Sequence, residues 1–148
     1  MMKPIKFFIP VVTFIMFSLS LSAGAASTGD IEKITATVMH YFEGIGEVSN
    51  ERLEKAFDLK AQMISPGKND AGTSELKVWE IVPTIKRWTS GKPAKKERIG
   101  KILNMHVMDS RLASVSFDSN DQYYDLLTLA KMDGEWKIIN KAYINKYK

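Results

Sequence analysis

One carboxylate stands inside an apolar run. Asp125 sits in Tyr123-Tyr124-Asp125-Leu126-Leu127-Thr128-Leu129-Ala130, among aromatic and aliphatic neighbours. Such a carboxylate is costly unless it is paired or hydrogen-bonded. Held against a cavity, it is the kind of group that serves as a general base. The competing reading is structural, with Asp125 paired to Lys141 or bonded by Tyr and Asn groups. Tyr41 is the second candidate, since its hydroxyl can donate from an otherwise apolar helix stripe. Tyr123 and Trp136 offer flat faces for a planar ligand, although a plain core uses the same residues.

Other chemistries find little footing. The chain has two histidines and no cysteine. Disulfides, cysteine-based zinc sites and a lipid-anchoring cysteine are therefore excluded. His40 falls opposite the apolar stripe of its helix, and His106 lies on a strand whose facing is ambiguous. Neither belongs to a cluster with metal-ligand spacing, so neither metal nor cofactor is expected. The sequence contains no nucleophile elbow, phosphate loop or dinucleotide fingerprint.

The elements that must position these residues follow a leader. Lys3 and Lys6 precede an apolar stretch from Phe7 to Leu21, short of the ~20 residues that span a bilayer. Ala23-Gly24-Ala25 then offers a small-x-small cleavage site. Residues 1–25 read as a signal peptide and 26–148 as one exported domain, periplasmic or secreted, without a stable membrane anchor. Removing Lys3 and Lys6 from the 21 basic residues leaves 19 against 17 acidic ones. That balance gives no argument for nucleic acid or anionic lipid. The densest basic stretch, Lys92, Lys95, Lys96, Arg98 and Lys101, surrounds Gly91 and Pro93 and reads as a solvated loop, with anion binding as the minor alternative.

Ile31, Ile34, Val38, Tyr41, Phe42 and Ile45 recur at helical spacing. Thr28 or Asp30 can cap that helix, and Gly44 and Gly46 mark its expected end. Ser49 caps a short second helix with Leu53, Ala56 and Phe57 inward. Ala61 to Ser65 reads as a short strand and 66–74 as a loop. An extended segment from Glu75 to Val82 leads into a third helix, opened by Pro83 and stopped near Gly91. Strands then run from Arg98 to Met108, Leu112 to Asp118, Gln122 to Lys131 and Glu135 to Asn145. Their turns fall at Asp109-Ser110-Arg111, Ser119-Asn120-Asp121 and Asp133-Gly134, the last being a strong type I′ signal. Helices first and a meander last mean an α+β fold with helices on one face of a curved antiparallel sheet.

That order, the ending from Tyr124 to Lys141, and the early Tyr41-Phe42 and Lys55-Ala56-Phe57 segments resemble the nuclear transport factor 2-like superfamily. Within it the chain is most similar to the bacterial "putative lumazine-binding" branch. That branch often has a His after the Ala-Phe of the second helix, where this chain has Asp58. The resemblance implies a cone, with a cavity between the sheet and the helices. It also implies a dimer, because a second copy of the sheet usually covers the outer face in this superfold. Ketosteroid isomerase, which shares the superfold, uses a first-helix Tyr as an oxyanion donor, a role that Tyr41 would match.

If Asp133-Gly134 are the central turn residues, partners sum to 267, and one face holds Tyr123, Asp125, Leu127, Leu129, Trp136, Ile138, Asn140 and Ala142. The other face holds Tyr124, Leu126, Thr128, Ala130, Lys137, Ile139, Lys141 and Tyr143, too apolar to be left in water. A shifted register brings Lys141 rather than Asn140 beside Asp125. The expected ligand set is therefore Tyr41, Tyr123, Asp125, Leu127, Trp136 and Asn140. Three functions compete: binding of a small, partly aromatic molecule, a dimeric structural module with a filled cavity, and a lyase or isomerase with Asp125 as base. The last fails if Lys141 saturates Asp125.

Overall fold

The computed structural model describes residues 27–147; the expected signal peptide lies outside them. Helix α1 spans Thr28–Glu47 and α2 Asn50–Ala56. Strands β1 (Phe57–Lys68) and β2 (Ser74–Glu80) lead to α3 (Ile81–Trp88). The meander is β3 (Gly100–Met108), β4 (Leu112–Ser119), β5 (Tyr123–Met132) and β6 (Glu135–Asn145). The fold is α+β, with one six-stranded sheet in the order β2-β1-β6-β5-β4-β3. The sheet is mixed rather than wholly antiparallel, because β1 pairs with β6 in parallel.

Helix α1 is capped by Ser27 rather than by Thr28 or Asp30. Ser27 accepts a hydrogen bond from the Asp30 amide at 3.2 Å, satisfying one orphan donor of the first turn. Ile34, Val38, Tyr41 and Phe42 are buried, whereas Ile31 is exposed. The helix does not stop at Gly44 or Gly46. It runs to Glu47 and ends on Val48 in the left-handed region, with φ 60°. Gly44 serves packing instead: a Cβ there would stand 2.9 Å from Leu53 Cγ. The missing side chain lets α2 close on α1.

All three hairpins of the meander turn through two residues with positive φ: Asp109-Ser110, Asn120-Asp121 and Asp133-Gly134. This geometry matches the right-handed twist of the flanking strands. Strand β1 is longer than expected and carries Pro66-Gly67 within it. Its register with β6 ends at Ile64↔Ala142, so Pro66 owes no N–H to that neighbour.

The expected register of β5 and β6 holds only near the turn. Leu129 pairs with Ile138, but Thr128 pairs with Asn140, leaving Ile139 as a bulge. Beyond it every β6 residue is turned over relative to the simple count. Lys141 and Tyr143 therefore face the helices with Asp125 and Leu127. Asn140 and Ala142 take the outer face instead. The core packs between α1 and the inner sheet face, where Phe42 meets Phe117 edge-on with centroids 5.5 Å apart.

Candidate functional site

The bulge at Ile139 decides the chemistry of the cone's floor. It brings Lys141 to Asp125, whose Oδ1 accepts from the lysine Nζ. Tyr41, two-thirds of the way along α1, donates its hydroxyl to Asp125 Oδ2 at 2.8 Å. The Asp125 side chain is fully buried, and Lys141 is 4% exposed. Burial pushes the Lys141 ammonium below its usual range, with Asp125 opposing the shift. Burial, then the neighbouring Asp125 charge, pushes the Tyr41 hydroxyl well above its usual range. Lys141 Nζ also lies 4.6 Å from the Tyr143 ring centroid and 5.3 Å from that of Tyr41, close enough for cation–π attraction. Asp125 is thus saturated and sealed. It offers no oxygen to a substrate, and the general-base reading fails on its own criterion.

Above this floor lies a cavity of about 470 Å³. Its helical side is Tyr41, Ile45 and Gly46 of α1 with Arg87 and Trp88 at the end of α3. Lys92, Ala94 and Arg98 close it from the segment before β3, and the β4–β5 turn supplies Asn120 and Gln122. Tyr123, Lys141 and Tyr143 form the sheet side. Tyr123 and Tyr143 meet edge to face, 5.9 Å between centroids, and Trp79 continues the aromatic wall at 5.9 Å from Tyr143. The β4–β5 turn is pinned where it meets the segment before β3: the Asn120 amide donates to the Ile99 carbonyl at 2.7 Å.

Of the six expected ligand residues, only Tyr41 and Tyr123 line this cavity. Asp125 lies sealed below it. Leu127 shares the inner face but is wholly enclosed in the core. Asn140 is on the outer face, paired with Thr128 and Gln62. Trp136 lies toward the other end of β6, beside the first turn of α1. Its Nε1 donates to Asp30 at 2.9 Å, and Lys131 reaches the same oxygen at 2.8 Å. Those bonds, Lys131 first and Trp136 second, hold the Asp30 carboxyl well below the ordinary carboxylate range. Trp136 anchors the helix to the sheet instead of facing the ligand space.

The sequence reading missed Trp88, Arg87, Arg98 and Tyr143. Tyr143 was hidden by the bulge. Arg98 belongs to the basic stretch read as a solvated loop, yet it turns inward. Its Nη1 donates to the Phe42 carbonyl at 2.7 Å, and its guanidinium lies 4.4 Å from the Phe42 centroid. Gly46 makes room, since a Cβ there would stand 3.0 Å from Arg98 Nη1. His106 is on an exposed strand position, and His40 sits 3.5 Å from Arg52. Among the described residues, no group of three His, Cys, Asp or Glu side chains could hold a metal. Among the same residues no helix is long and apolar enough to cross a membrane.

The sequence profile of the "Putative lumazine-binding" family matches residues 29–144. Solved structures share the fold. A nuclear transport factor 2-like protein of unknown function from Silicibacter pomeroyi is 20% identical, with TM-score 0.70 over 82% of this chain and 100% of that one. One from Shewanella baltica is 17% identical, with TM-score 0.71 over 84% and 100%. A third, from Methylobacillus flagellatus, is 24% identical, with TM-score 0.66 over 81% and 94%. Among curated proteins, none matches the chain. The chain belongs to the "Putative lumazine-binding" family and has the nuclear transport factor 2-like fold.

Proposed function

We propose that this family member is a binding module that holds a small, partly aromatic molecule in its cone cavity. The observation that carries the reading is the cavity itself. About 470 Å³ lies open between Trp88, Tyr123 and Tyr143, within the range of small-molecule sites. The family description names lumazine, a flat bicyclic heteroaromatic of suitable size for such walls. Tyr41 and Lys141 close the floor through Asp125, so the site is pre-shaped by buried bonds. The test is native mass spectrometry of the protein purified gently from its own host, with Trp88→Ala and Tyr123→Ala variants. A co-purifying small molecule lost in both variants supports the reading. An empty protein that also fails to bind added lumazine supports the alternative of a structural module.

The outer sheet face supports a second element of the proposal, a homodimer. Val78, Ile64, Ala142 and Leu126 align across β2, β1, β6 and β5 as one apolar row. Val78 and Leu126 are each 51% exposed, with Leu103, Tyr124 and Ile144 also exposed on this side. Apolar surface of that extent favours a partner, and a second copy presents the same row. Light scattering at micromolar concentration should give twice the chain mass, falling to one in Leu126→Lys. We also propose that residues 1–25 direct export. Intact mass after cell fractionation should show a chain beginning at residue 26 outside the cytoplasm.

A further inference from the structure

The charge of the cavity is one-sided. Arg87, Lys92, Arg98 and Lys141 line it, and no Asp or Glu does. Lys141 is neutralised by Asp125. The other three have no carboxylate within 4.0 Å among the described residues. The nearby Glu43 and Glu47 are taken by Arg52 instead. Arg98 is the telling member. It is half-buried, and burial lowers its affinity for its proton. Phe42 takes only Nη1, so the rest of the guanidinium fork has no acceptor among the described residues. A half-buried cation with idle donors at a cavity wall is what an anionic ligand group satisfies, and the planar fork suits a carboxylate. Arg87 and Lys92 line the same cavity and add to the same field.

Resting on the binding reading above, we infer that the ligand is an aromatic carboxylate, its flat body against Tyr123 and Trp88 and its carboxylate at Arg98. A matched pair of probes tests this: 2-naphthoate and 2-naphthamide share one body and differ in charge. Calorimetric titration at low salt should show naphthoate binding about tenfold or more tightly, the range of a charge-assisted bond. Arg98→Met should erase that preference by weakening naphthoate far more than naphthamide, whose carbonyl accepts only a neutral-acceptor hydrogen bond. Because Arg98 also braces Phe42, Arg87→Gln/Lys92→Gln provides a variant at exposed positions; it should reduce the preference about threefold or more, and added salt should do the same. Equal binding of the two probes, both weakened by Tyr123→Ala, overturns the carboxylate assignment and leaves the binding reading standing. Binding of neither at about 1 mM overturns both.

Discussion

Replacing Lys141 by Met removes the cation from a carboxylate that has no exposed surface. Breaking a buried ion pair on one side costs about 3–5 kcal/mol, because the remaining charge is left without compensation. Tyr41 still donates to Asp125 at 2.8 Å, which places the expected loss at the lower end, about 3 kcal/mol. For a domain of this size ~1 kcal/mol moves Tm by about 4 °C, so the variant should melt roughly 12 °C lower. Tyr41→Phe removes a donor to a charged group and should cost about 1.5–3 kcal/mol. The informative variant is the triple, Tyr41→Phe/Asp125→Leu/Lys141→Met, which removes all three polar partners together. Burying an ion pair costs desolvation that apolar residues of similar volume avoid, so the triple should recover most of the loss. Urea midpoints of the single, double and triple variants yield the coupling directly. A Lys141→Met loss below about 0.5 kcal/mol, or a triple no more stable than Lys141→Met, would refute the description of the floor as one sealed polar unit.

Three further outcomes follow from other parts of the molecule. Asp30 is held below its ordinary carboxylate range of about 3.8 by Lys131 and Trp136. Its stabilisation is therefore present above that pH and lost as pH falls through the lower folded value. The stability gap between wild type and Asp30→Asn, measured by urea unfolding, should shrink as pH drops from about 5 to 2; a gap that stays constant contradicts it. Gly100→Ala would place a Cβ 2.6 Å from Phe117 Cζ and 3.0 Å from Phe42. Two packed rings cannot yield cheaply, and thermal melting should show a loss of about 1–3 kcal/mol. Asn140→Ala should leave binding of 2-naphthoate unchanged, because Asn140 faces away from the cavity; a weakened affinity would mean that the β6 register is wrong.

The fold was largely legible because its signals are local. Each hairpin announced itself through residues that tolerate positive φ, and the Asp133-Gly134 turn correctly fixed the first four partners of β5 and β6. The site was less legible, since one unannounced residue governs it. Ile138 and Ile139 are alike in type, and Asn140 and Lys141 are both polar. Either register therefore sets a polar side chain near Asp125, and no pattern in the strand selects the bulge. Both sheet faces carry apolar residues, which further weakens alternation as a guide to register. Gly44 and Gly46 misled for a related reason: a glycine needed for close packing looks, in sequence, like one that ends a helix. Trp136 was assigned to the correct sheet face, but position along the strand separates an anchor of α1 from a wall of the cavity. The approach of Arg87 and Arg98 depends on α3 packing against β1 and on the segment after it reaching back to α1, where the Ala94 amide donates to the Gly46 carbonyl, which no spacing along the chain records.

The partners of α1 also say something about timing. Tyr41, Thr37 and Asp30 find their hydrogen-bonding groups 84 to 106 residues further along the chain. Strand β1 likewise waits for β6. Until the last two strands are available, the first helix lacks the partners of Tyr41, Thr37 and Asp30, although Phe42 can already meet Phe117 of β4. Joining β1 to the meander must therefore wait for β6, the strand between them. Contacts of this separation in sequence favour slow closure of the fold. The strand order places the last strand at the centre of the sheet, between β1 and β5, so the two halves of the sheet join only through it.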